Sequence, residues 1–76
     1  MRRKLTLQYS PDGHYFMTEI DSETGERKPP TYGPYGREEM IFQLAVMGVE
    51  DYRKAAEFLR TTEQFHGATF EYASRS

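Results

Sequence analysis

Three of the chain's four prolines crowd into residues 28–36, Lys-Pro-Pro-Thr-Tyr-Gly-Pro-Tyr-Gly, and this segment divides the sequence in two. Before it the apolar residues alternate; after it they recur at helical spacing. The segment has no hydrophobic period, and proline and glycine fix its backbone, so its tyrosines have little freedom left to lose. The segment therefore reads as a stiff loop carrying Tyr32 and Tyr35. Such a loop serves either as a contact surface or as a lid on a small core.

The first half reads as a hairpin over residues 3–27. Leu5, Leu7 and Tyr9 alternate with Lys4, Thr6 and Gln8, the period of a half-buried strand. Ser10-Pro11-Asp12-Gly13 is a turn signal, and residues 14–20 return as a second strand. A three-residue loop with a bulge at Gly13 puts Tyr9 opposite Tyr15 and Leu7 opposite Met17. A four-residue loop puts Leu7 opposite Phe16 and Lys4 opposite Glu19. A slip of one residue exchanges the two faces, so the register decides whether Tyr15 or Phe16 is exposed.

The second half reads as a helical hairpin over residues 37–62. Gly36 is placed as the N-cap, with Tyr35 and Met40 spaced for a hydrophobic staple and Glu38 and Glu39 in the first turn. Gly48 ends this helix. Met40, Ile41, Leu44 and Ala45 form one apolar stripe, and Phe42, Val46 and Val49 a second. A helix apolar on more than one face is either central or covered by a partner. In the next helix Tyr52, Ala55, Ala56 and Leu59 recur at i, i+3, i+4, i+7, with Phe58 beside them. Ala68, Phe70 and Tyr72 then alternate in a last strand over residues 68–73, and residues 74–76 read as a frayed end. The expectation is a single α+β domain of ββααβ order. Its three-stranded antiparallel sheet carries the helical hairpin on one face, and the last strand pairs with the first.

The chain's 76 residues include no cysteine, so no disulfide or thiolate supports so small a core. The basic start, Arg2-Arg3-Lys4, is not followed by an apolar run, and residues 40–49 are too short to span a membrane. A cytoplasmic, soluble protein is expected. Net charge is −2, too balanced for a nucleic-acid binder that relies on bulk charge.

No constellation of catalytic type stands out. His14 and His66 lie outside any ligand-spaced motif, so no metal site and no cofactor are expected. The serines fall in turns or at the end, and Glu38-Glu39 and Glu50-Asp51 both begin helices, where carboxylates serve the dipole. The expectation is a non-enzymatic protein whose partner is another protein. Its contacts are placed at Tyr32, Lys28 and whichever of Tyr15 or Phe16 is exposed. Phe42 and Val46 are the candidates for self-association into a homodimer. An inhibitor or regulator of the phage or mobile-element type, anti-CRISPR-like in size and composition only, fits this profile. The alternative is a nucleic-acid-binding accessory protein using Arg2, Arg3 and Lys4 with the strand aromatics.

Overall fold

A computed structural model describes residues 2–73, so the expectation for residues 74–76 lies outside the described residues. The elements run β1 (Arg2–Tyr9), β2 (Tyr15–Ile20), β3 (Arg27–Tyr35), α1 (Arg37–Val46), α2 (Tyr52–Phe65) and β4 (Gly67–Ala73). The fold is α+β with an antiparallel sheet, as the sequence implies. The sheet has four strands rather than three, in the order β3-β2-β1-β4.

The extra strand is the proline segment. It is not a loop: Arg27–Tyr35 pairs with β2 through Tyr15↔Tyr35, Met17↔Tyr32 and Glu19↔Lys28, with register shifts between these pairs. Prolines are tolerated because β3 is an edge strand, where half of the amides have no ladder partner to lose. The turn before it is built by Asp21, whose side chain accepts from the Glu23 and Thr24 amides at 2.8 and 3.2 Å. Those donors hold the Asp21 carboxyl below its usual range.

β1 and β2 adopt the three-residue-loop register, with Tyr9 opposite Tyr15 and Leu7 opposite Met17. Gly13, at φ +87°, supplies the left-handed residue that this loop requires. β4 pairs with β1 from Arg2↔Ala73 to Gln8↔Gly67, as expected. One face of the sheet carries Leu5, Leu7, Tyr15, Met17 and Tyr72, all buried. α2 lies over β1 and β4, while α1 touches β3 and α2.

α1 starts at Gly36, whose amide donates to Glu39 Oε1 at 3.3 Å. Met40 and Leu44 are its fully buried residues, with Ile41 and Tyr35 packed at the margin. The sequence places the second helix from about Glu50 to Thr62; α2 instead starts at Tyr52, because Asp51 is the N-cap and accepts from the Arg53 and Lys54 amides. Its buried stripe is Ala55, Phe58, Leu59 and Thr62 rather than the stripe led by Tyr52, which is exposed. Thr62 tolerates burial because its hydroxyl donates to Phe58 O at 2.8 Å. His66 closes α2 in the left-handed conformation, φ 62°.

Tyr15 belongs to the core, at 2% exposure, so of the two hairpin candidates only Phe16 remains at the surface. Burial, and then the neighbouring Glu63 carboxylate, push the Tyr15 phenol up to about 12. An unfolded tyrosine titrates near 10. Below about pH 10 both states are protonated and the contribution of Tyr15 is intact. Between about pH 10 and 12 the unfolded chain ionises first, so stability falls as pH rises. The expected loss over this range is about 2 kcal/mol. Urea unfolding across this range should show a shallower alkaline decline in Tyr15→Phe than in the wild type.

Candidate functional site: a groove between the first helix and the edge strand

Three of the candidate residues meet on one flank of the molecule. Val46 and Phe42 are one turn apart on α1 and stay 64% and 65% exposed. The buried stripe of Met40 and Leu44 already fills the space under the helix, so Phe42 projects away from the sheet. Tyr32, 43% exposed on β3, faces Val46 across a groove of about 230 Å³ whose walls include Met17, Gln43 and Met47. Glu19 also lines this groove; Lys28, with Nζ 3.9 Å from Glu19 Oε2, lines the neighbouring cleft that Glu19 shares.

The groove is held from below by polar ties. Met47 O, at the end of α1, accepts from Arg3 Nη1 at 3.2 Å and from the Tyr72 hydroxyl at 2.9 Å. These two donors, from β1 and β4, pin the helix end and therefore the Met47 side chain. Burial raises the Tyr72 phenol above its ordinary value, which keeps it a donor well into alkaline pH. Arg3, a nucleic-acid candidate in the sequence, thus spends a guanidinium nitrogen on the fold. The sequence gives no sign of the Arg3–Met47 tie, because the two residues are 44 positions apart.

Among the described residues no helix covers the opposite face of the sheet. Thr69, Thr6 and Thr18 lie in register across three strands, and Thr18 continues the row to Thr31 through a hydroxyl pair at 2.9 Å. Thr6 and Thr69 share a second such bond at 2.9 Å. Phe16 is half-buried on this face, seated over Gly33. Lys4 and Arg2 are here too, with Arg2 bonded to Glu71. That contact holds the Glu71 carboxyl below its usual range.

Phe16 and Tyr32 are therefore on different faces and cannot serve one contact surface. Arg2, Arg3 and Lys4 come together instead at one end of the sheet, where with Glu19 and Lys28 they line a cleft of about 270 Å³. Among the described residues no three of His, Asp and Glu gather closely enough to hold a metal ion. His14 lies beside Asp12 in the first turn, 3.2 Å away, and His66 is the helix cap. No described helix is long and apolar enough to cross a membrane. Three surface clefts measure about 230–270 Å³, each smaller than the roughly 300–1,000 Å³ of pockets that enclose a small-molecule ligand. Compared with known proteins, the chain matches no family model, no curated protein and no solved structure.

Proposed function

We propose that this chain is a non-enzymatic protein-binding domain whose contact surface is the flank formed by Tyr32, Phe42 and Val46. The observation that carries this reading is the continuous exposure of those three side chains beside a groove lined by two methionines. Interface cores are enriched in aromatics and methionine and depleted of charge, which describes this flank. The occupant is a protein that inserts an apolar side chain between Tyr32 and Val46 and covers Phe42, with Glu19 and Lys28 forming the polar rim. An inhibitory or regulatory role, in which the domain acts by occupying its partner, belongs to the same proposal.

The nucleic-acid reading has less support. Arg2 is engaged by Glu71 and Arg3 by Met47 O, while Asp21, Glu23 and Glu26 cluster in the turn at the same end of the sheet. A polyanion gains affinity there only from cations not already matched by carboxylates. The protein-binding reading is tested by alanine substitution. Tyr32→Ala or Phe42→Ala should cost about 2 kcal/mol or more of partner affinity, roughly 30-fold, if the side chain is a central anchor.

A further inference from the structure

The two edges of the sheet are treated differently. β3 carries Pro29, Pro30 and Pro34 and is interrupted by register shifts, devices that stop an edge from pairing with another chain. β4 has neither: Gly67–Ala73 contains no proline, and its ladder to β1 is unbroken. Tyr9 N–H donates to His66 O at 3.4 Å, which sets the parity of that ladder. Hydrogen-bonded pairs alternate along an antiparallel ladder, so Ala68, Phe70 and Tyr72 turn their backbone groups toward β1. Gly67, Thr69, Glu71 and Ala73 turn theirs outward, and among the described residues no strand meets them.

We propose that β4 pairs antiparallel with β4 of a second copy of this chain, joining the two sheets across a two-fold axis at Phe70. Overlap of the whole strand places Thr69 opposite Glu71 of the second copy and Gly67 opposite Ala73 of the second copy. All four are residues with outward backbone groups, so this register satisfies hydrogen-bond parity and forms about eight backbone bonds. It also sets Glu71, already neutralised by Arg2, against a threonine rather than against another acid. A slip by two residues shortens the overlap, and a slip by one points carbonyls and amides the wrong way.

A second observation identifies a copy of this chain as the occupant. Phe65, the last residue of α2, is 64% exposed and has no role in the core. It lies seven residues after Phe58, which stacks on Phe70 of β4 at 4.1 Å. That spacing is two helical turns, so Phe65 sits on the same flank of α2 as Phe58, the flank toward β4. The two-fold axis lays the two α2 helices side by side over the new seam and covers both Phe65 side chains. Stable interfaces bury roughly 1,200–2,000 Å², more than one strand edge provides, so this helix contact is required. The seam is at the opposite edge of the sheet from the Tyr32 groove and does not rest on the reading of that groove. The dimer leaves both grooves open and therefore binds a repeated partner with avidity.

Light scattering of the full chain over a wide concentration range tests the proposal. The wild type is expected at twice its 8.9 kDa mass. Thr69→Pro removes an outward amide without touching the β1 ladder, and Phe65→Lys charges the helix seam. Both should be monomers with wild-type circular dichroism. If Thr69→Pro does not fold, Phe65→Lys decides alone. A wild type monomeric at every concentration would overturn the proposal. So would a dimer that survives either folded variant, or one dissolved by Phe42→Asp alone.

Discussion

Replacing Gly33 by alanine is expected to lower the melting temperature by roughly 15–30 °C. A β-carbon built on Gly33 would lie 2.7 Å from Tyr15 O, 2.8 Å from Phe16 Cδ1 and 3.2 Å from Phe16 Cα. The ring can turn aside, but Tyr15 O and Phe16 Cα belong to the neighbouring strand and move only if β2 and β3 separate. The backbone adds to this, because φ is +138° at Gly33, a conformation that side chains rarely adopt. Strain of about 1–3 kcal/mol from the dihedral and about 1–3 from the overpacked contact give a total of about 2–6 kcal/mol. Gly25→Ala is the control. Gly25 also has a positive φ, +75°, but a β-carbon there meets nothing within 4 Å, so only the dihedral cost of about 1 kcal/mol is expected. Thermal unfolding of the two variants should separate them by at least roughly 10 °C.

The second large effect is a contrast within α1. Leu44→Ala is expected to destabilise the fold by about 2–5 kcal/mol, because Leu44 is fully buried among the residues that join the helix to the sheet. Phe42→Ala, two residues earlier, should change stability by about 0.5 kcal/mol or less, because its ring is 65% exposed. On apolar content alone both residues belong in a core. Chemical denaturation of the two variants distinguishes a helix with one working apolar face from one that buries both. Equal losses would place Phe42 in the core and remove it from the contact surface.

That contrast also marks where the sequence was readable. The alternation of Leu5, Leu7 and Tyr9 and the Pro-Asp-Gly turn located β1, β2 and their partnership. Helical spacing pointed to Ile41, Leu44, Ala55 and Leu59 as core; Leu44, Ala55 and Leu59 are buried, while Ile41 packs at the margin. The phase of α2 was missed because Tyr52, Ala55, Ala56 and Leu59 repeat as well as Ala55, Phe58, Leu59 and Thr62 do. A threonine that satisfies its own hydroxyl within the helix gives no hydrophobic signal.

β3 was hidden for a different reason. Its residues opposite Tyr15, Met17 and Glu19 are Tyr35, Tyr32 and Lys28, spaced three and four apart where a regular ladder to residues two apart requires two. The register shifts erase the period of two, and the prolines argue against a strand unless it lies at an edge. The turn from Asp21 to Glu26, closed by Asp21 N–H to Glu26 O at 2.8 Å, was the available clue that another hairpin arm follows. At the candidate site, Tyr32 and Lys28 were legible as residues without an evident folding role. Their placement beside Val46 was not, because it depends on the strand that the sequence concealed. The choice between Tyr15 and Phe16 turned on hairpin register alone.

The most direct measurement of the central claim is the affinity of a purified partner, first recovered with the wild-type chain, for the wild type and for a Tyr32→Ala/Phe42→Ala double variant. Calorimetry with both proteins folded, and with thermal unfolding run in parallel, separates contact from stability. A loss of about 30-fold or more in Kd is expected, with little change in melting temperature. An unchanged Kd, with the double variant folded, would contradict it.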